Sequence, residues 1–220
     1  MFKHFLKRAL NVILPKASII WCGPTLSDTI YLTFDDGPYP AYTNRIIEAL
    51  AAHGARATFF LLGKSIPENS SLVKKAIFLG YGIGNHTFSH YLGSHLCLHT
   101  FDEINKTDLA ITTLTGQHVK VLRPPYGKIT LPFLLYSIIN RYSIVMWSYD
   151  SNDSFIKHDA KLLQGLDKVR GGDILLFHDD TEITARNIDA ILVALKRKGF
   201  RFGLIQELLP NHQSSVEKRT

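Results

Sequence analysis

Two registers of apolar and polar positions alternate along this chain. Short runs rich in β-branched and aromatic residues recur at Ile30–Phe34, Ala57–Leu62, Gly82–Asn85, Lys120–Leu122, Ser143–Trp147, Ile174–Phe177 and Phe200–Phe202. Their length and composition predict buried strands. Between them lie longer stretches with apolar residues at helical spacing: Tyr42–His53, Ser70–Leu79, Phe101–Thr115, Pro132–Arg141, Asp159–Val169 and Thr184–Lys198. Gly54, Gly80, Gly116 and Gly199 each follow such a stretch, where a left-handed cap is expected. Strands and helices in alternation predict an α/β fold with a parallel sheet and right-handed crossovers. An open doubly wound sheet and a closed or distorted (β/α) barrel both fit that count.

Composition narrows the picture modestly. The chain has 220 residues, 45% hydrophobic and 20% charged, the balance of a single soluble globular domain, and it shows no internal repeat. A net charge of +6 makes it mildly basic, but no cationic run or nucleic-acid motif accompanies the charge, which excludes nucleic acid as the expected partner. Cys22 and Cys97 form neither a disulfide framework nor a close-spaced zinc knuckle, and are read as two buried or half-buried thiols; a single bridge between them stays open. Met1–Trp21 mixes Lys3, Lys7, Arg8 and Lys16 with Phe2, Phe5, Leu6 and other apolar residues. That run is too interrupted for a spanning helix and lacks the uncharged core and cleavage site of a secretion signal. Phe2, Phe5, Leu6 and Ala9 share one helical face, so residues 1–21 are read either as a helix on an anionic membrane or as a helix packed on the domain. The expected layout is an N-terminal extension over 1–28, one domain over 29–209 and a polar tail over 210–220. Nothing in the pattern specifies an oligomeric state.

The polar residues bear on the choice between sheet and barrel. Asp35 and Asp36 follow the first strand, His86 the third, Arg123 the fourth, Asp150 and Asp153 the fifth, and His178 the sixth. Reacting groups contributed by the carboxyl ends of several strands are the signature of barrel enzymes. In Thr33-Phe34-Asp35-Asp36-Gly37-Pro38, neighbouring side chains on a strand would diverge, but a turn at Gly37-Pro38 lets both carboxylates approach one centre. Two such charges resist joint ionisation unless a cation sits nearby. One carboxylate bound to a metal, with the other acting as a base, resolves the conflict; a solvated turn is the plainer alternative. His86 and His90 stand at i and i+4, a spacing that lets both reach one ion from a helical turn. With Asp36 they would leave one coordination position open, as in catalytic zinc. His95 and His99 repeat the spacing without a carboxylate motif and are read as structural or exposed. In Arg123-Pro124-Pro125-Tyr126-Gly127, two prolines stiffen a loop that can hold an arginine and a backbone amide in place. A structural arginine would use the same loop. His178 ends a buried strand, where a lone histidine is usually a satisfied core group but, beside a metal site, a general-acid candidate.

In order and spacing these motifs, TFDDGP, HTFSH, RPPYG, WSYDSNDS and LLFH, resemble NodB-type polysaccharide deacetylases, carbohydrate esterase family four, from about Thr29 to Leu209. The resemblance implies a distorted (β/α)7-type barrel and an enzyme that removes N-acetyl groups from an amino-sugar glycan. It implies a divalent metal, zinc as the usual expectation, held by Asp36, His86 and His90. Asp35 would be the general base, oriented by Arg123. The backbone amide of Tyr126 would meet the developing oxyanion. His178 would be the acid, held or tuned by Asp153, and Leu176 would line the acetyl pocket. A cell-envelope or membrane-associated location and an N-acetylated glycan partner follow from the same resemblance. The fourth motif departs from the family, which commonly has an aromatic residue where Ser154 stands. Phe155 or Tyr149 could fill that gap, and Asp150 is the weaker candidate for tuning His178. An O-acetyl esterase, a small-molecule amidase and a non-catalytic carbohydrate-binding barrel are the competing readings.

Overall fold

In a computed structural model that describes residues 19–91 and 97–209, the apolar runs fold as strands that are all parallel. They are β1 (Ile19–Ile20), β2 (Thr29–Asp35), β3 (Ala57–Leu61), β4 (Gly82–Asn85), β5 (Val121–Leu122), β6 (Ser143–Val145), β7 (Tyr149–Asp150), β8 (Ile174–His178) and β9 (Arg201–Phe202). The helices are α1 (Pro40–Ala52), α2 (Ser70–Phe78), α3 (Cys97–Thr115), α4 (Leu131–Asn140), α5 (Asp159–Gly165) and α6 (Glu182–Arg197). The strand order is β1-β6-β5-β4-β3-β2-β8-β7, with β9 on β2. Gly54, Gly80, Gly116 and Gly199 all take positive φ, as expected of left-handed helix caps.

Two strands lie outside the seven expected from the pattern. Ser143–Trp147 reads as one apolar run, yet the chain leaves the sheet after Val145 and re-enters it as β7, which pairs with β8. Ile19–Ile20, inside the stretch read as an extension, pair with Ile144 and Val145 of β6. The break after Val145 carries topological weight. β6 adjoins β1 at one end of the strand order, and β7 is the other end. Four residue steps from Val145 to Tyr149 span at most about 14 Å. The two ends of the sheet must therefore curl towards each other, which makes the sheet a distorted (β/α)7-type barrel in a single domain.

Period-2 alternation sorts the strand residues between the two faces. Leu32 and Phe34 join the main apolar cluster beneath the helices, with Phe59, Ile144, Leu175 and Phe177. Tyr31, Phe60, Val121, Val145 and Ile174 form a second cluster with Ile205, inside the barrel. Arg123 also lies inside, with no exposed surface. Its Nη1 donates to Thr33 Oγ1 and to Asp35 Oδ1, both at 2.7 Å, while Nε donates to the Val145 carbonyl and Nη2 to that of Met146, both at 3.2 Å. The guanidinium carbon stands 4.1 Å from the Phe60 ring centroid, so its flat face is covered as well. One side chain thus ties β6 to β2 across the interior.

Arg123→Met keeps the bulk but strands Asp35 without its cation. We expect a loss of about 3–5 kcal/mol in unfolding free energy, read from denaturant midpoints. A loss below about 1 kcal/mol would mean that the pair is not a structural brace.

Candidate active site

Because all strands are parallel, their carboxyl ends share one rim, and the chemically competent residues collect there. Asp35 ends β2 on the inward register of Tyr31 and Thr33 and is buried. Asp36 would turn outward if the strand continued. Instead its φ is 76°, a left-handed conformation that costs a non-glycine residue about 1–3 kcal/mol. The turn that follows is built tightly. A Cβ on Gly37 would stand 2.0 Å from Asp179 Oδ2, so only glycine fits. The Gly37 carbonyl accepts the Leu62 amide at 2.8 Å, and the Asp179 amide donates to the Asp35 carbonyl at 3.1 Å. Thr43 Oγ1 donates to Asp179 Oδ2 at 2.6 Å. Burial, together with the charges of Asp180 and Asp36, pushes Asp179 up to about 7 against that hydrogen bond.

His86 follows β4, and its Nδ1 lies 2.8 Å from the Arg123 carbonyl. A carbonyl only accepts, so Nδ1 carries the proton and Nε2 presents its lone pair. That Nε2 is 3.5 Å from Asp36 Oδ1, and His90 Nε2 is 3.4 Å from the same oxygen. Asp36 Oδ1 is buried with no hydrogen-bond partner. One donor atom from each of the three residues lies within 4.8 Å of the others. A tetrahedral ion with bonds of about 2.1 Å sets its ligands roughly 3.4 Å apart, so these spacings and the orphaned oxygen fit a metal. Burial, assisted by His90, pushes the His86 ring down to about 3 against the pull of Asp36, which keeps it neutral, the ligand form.

The route by which His90 reaches the site differs from the expected helical turn. Residues 86–90 form no helix, and Thr87 and His90 have φ of 69° and 63°. The loop is held from outside. Glu103 of α3 accepts the amides of Phe88 at 3.1 Å and Ser89 at 2.8 Å, and the Asn85 side chain accepts the Thr87 amide at 2.9 Å. His99 is exposed, its ring 4.6 Å from that of Tyr91, and takes no part; His95 lies outside the described residues.

Across the cleft, His178 ends β8. Its Nδ1 lies 2.7 Å from Asp153 Oδ1, and its amide donates to Asp153 Oδ2 at 2.8 Å. Thr181 and Thr184 donate to the same Oδ2. Burial opposes charge on the His178 ring, but the hydrogen bond and charge of Asp153 outweigh it and raise the ring to about 9. Burial likewise opposes charge on Asp153, and the His178 contacts outweigh it, holding the carboxyl below its usual range. On the other side burial pushes Asp35 up, opposed by Arg123. The cleft between them measures about 350 Å³ and is lined by Asp36, Tyr126, Trp147, Leu176 and Phe155 among others. Tyr149 is buried and does not line it, whereas Phe155 does. Asp150 borders the cleft but accepts the Asn152 amide and makes no contact with His178. Ser154, the departure in the fourth motif, places its hydroxyl 3.1 Å from His178 Nδ1. Sequence reading did not single out Trp147, Glu103 or Asp179. Trp147 opens the fourth motif and Asp179 directly follows the strand-end histidine, whereas Glu103 carries no local signal.

The chain resembles known proteins in sequence and in fold. A family model described as polysaccharide deacetylase matches residues 23–138, more than half of the chain. A peptidoglycan N-acetylglucosamine deacetylase of Listeria monocytogenes is 34% identical over 81% of this chain, which spans 38% of that relative's length. The crystal structure of the Bc1960 peptidoglycan N-acetylglucosamine deacetylase superposes with a TM-score of 0.83 at 31% identity, covering 88% of this chain and 94% of the other. A family-four carbohydrate esterase pseudoenzyme from Bacillus anthracis superposes at 0.81 with 28% identity, over 88% of this chain and 69% of the other. On these matches, with five motif sites gathered at one rim, the chain belongs to the polysaccharide deacetylase family.

Proposed function

We propose that this chain hydrolyses the N-acetyl group of an amino sugar in peptidoglycan or a related cell-envelope glycan. A family that includes a pseudoenzyme cannot lend activity by fold alone, so the reading rests on the site. The observation that carries it is the placement of two ion pairs, Asp35–Arg123 and Asp153–His178, around one Asp36–His86–His90 donor set. The Listeria relative's name supports peptidoglycan as the substrate class and the cell envelope as the location. No described helix is long and apolar enough to cross a membrane.

A divalent cation held by Asp36, His86 and His90, with zinc the expected ion, would acidify water and polarise the acetamido carbonyl. Asp35, fixed by Arg123, takes a proton from the attacking water. Charge then gathers on the former carbonyl oxygen, where the Tyr126 backbone amide serves as a donor. The carbon–nitrogen bond breaks only if nitrogen leaves protonated, and His178 supplies that proton from Nε2 while Asp153 holds Nδ1. Acetate and a free amine result. An ester has a better leaving group and needs this acid less, so the investment in the His178–Asp153 pair favours amide over ester hydrolysis. Leu176 and Trp147 are the apolar walls proposed to receive the acetyl methyl.

Metal-loaded protein should release acetate from N-acetylglucosamine oligomers or peptidoglycan fragments, lose that activity on chelation and regain it with zinc. His90→Ala should lower bound metal in elemental analysis. Absence of both metal and acetate release from every glycan tried would overturn the reading. His178→Ala should cut turnover at least about a hundredfold with metal content unchanged.

The pH dependence follows from sign. His178 donates in its charged form, so turnover holds below its raised value of about 9 and falls as pH rises through it. Asp153→Asn removes the charge that raises it, and burial remains, so the alkaline limb should move down to about 6.5 or lower. A cation held by Asp36, His86 and His90 would disfavour the imidazolium in wild type and variant alike, so the direction of the difference would stand. An alkaline limb unmoved in Asp153→Asn would rule out His178 as the proton donor held by Asp153.

A further inference from the structure

The acidic residues of this chain are unevenly spread. Residues 1–27 contain Lys3, Lys7, Arg8 and Lys16 and no Asp or Glu; residues 109–149 contain Lys120, Arg123, Lys128 and Arg141 and again none. All 19 acidic residues lie elsewhere. The sheet sets the described part of the first stretch beside the second, because β1 (Ile19–Ile20) pairs with β6, which follows α4. Arg123 is spent in the interior, but Lys120, Lys128 and Arg141 are exposed and form no ion pair among the described residues.

The same edge carries an outward apolar stripe. In α4, Pro132, Phe133, Tyr136 and Ser137 face the core. Leu131, Leu135, Ile138 and Ile139 are left exposed at i, i+4, i+7 and i+8, with Leu131 at 66% and Ile139 at 67%. That spacing places all four on one face. Leu109, exposed on α3, stands on the helix that packs beside α4 through the Tyr136–Asn105 hydrogen bond and the Phe101–Tyr136 ring contact. Lys128 precedes the stripe and Arg141 follows it.

We propose that this outward face of α4, with Lys128 and Arg141 at its two ends, docks the protein on an anionic lipid bilayer. Leucine and isoleucine side chains of an exposed helical stripe enter the acyl boundary while flanking cations meet headgroup phosphates. Charge complementarity selects this occupant. An anionic polymer would engage the cations but leave the stripe in water. A second copy packed antiparallel on the stripe would set Arg141 against Lys128, cation against cation. The inference is independent of the deacetylase reading, since it draws on no cleft residue.

Vesicle co-sedimentation of the full chain tests it. Binding to phosphatidylglycerol–phosphatidylcholine vesicles should exceed binding to pure phosphatidylcholine at least about tenfold, and added salt should weaken it. The exposed double substitution L135D/I139D should lower binding at least about tenfold while helical content and acetate release from soluble oligomers stay at wild-type levels. Charge reversal in K128E/R141E should lower it as well, and provides a second variant should the first misfold. Wild-type binding in both variants would assign the contact to the N-terminal residues alone and overturn the proposal. Equal binding to neutral vesicles, or a dimer that L135D/I139D dissociates in the absence of any vesicle binding, would overturn it too.

Discussion

A buried guanidinium is stable only if nearly all of its donors are used and its charge is matched, and Arg123 meets both conditions inside the barrel. Its partners are drawn from β2, from the β6 carbonyl of Val145 and from Met146 just beyond. These groups can meet only when the sheet is curled, so the arginine and the barrel shape require each other. The same residue uses its own carbonyl to accept the His86 ring. It therefore fixes the position of Asp35 and opposes the rise that burial imposes on that carboxyl, and through its backbone it sets the tautomer of His86. Curvature, the Asp35 carboxylate and the donor set rest on one residue.

This dependence explains why strain collects where it does. With Asp35 locked inward by Arg123, a continuing strand would carry Asp36 away from the histidines. The left-handed φ of Asp36 turns it back, and Gly37 packed on the Asp179 carboxylate leaves no room for another course. The histidine loop repeats the device, with Thr87 and His90 both left-handed and the Glu103 carboxylate holding the exposed amides. Asp179 and Glu103, outside the donor set, thus shape the backbone, while Asp36 Oδ1 inside it keeps no hydrogen-bond partner.

How far the sequence could be read depends on whether a signal is local. Glycine caps and the motif positions of Asp36, His86 and His90 are local signals; the glycines take the left-handed φ expected of them, and the three donors come together. The reason offered for the histidine spacing was a helical turn, and it does not hold, because Glu103 sits in a different element and only the fold brings it to the loop. The break between β6 and β7 was illegible for a related reason: Met146-Trp147-Ser148 is apolar enough to continue a strand. What ends the strand is the closure of the barrel, a property of the whole sheet.

That break also places the first residue of the fourth motif. Leaving the sheet after Val145 lets Trp147 enter the cleft wall, where a side chain on Gly127 would meet its ring at 2.5 Å. The indole can occupy that place because position 127 is glycine. An apolar wall is therefore present from the opposite strand end, and position 154 is released from supplying one. Ser154 instead sets a hydroxyl beside His178 Nδ1, which already faces the Asp153 carboxylate at 2.7 Å. A single N–H favours the charged acceptor, so the serine adds polarity at the back of the imidazole without displacing Asp153. Position 154 thus contributes a hydroxyl to the cleft lining, while Asp153 orients the His178 ring.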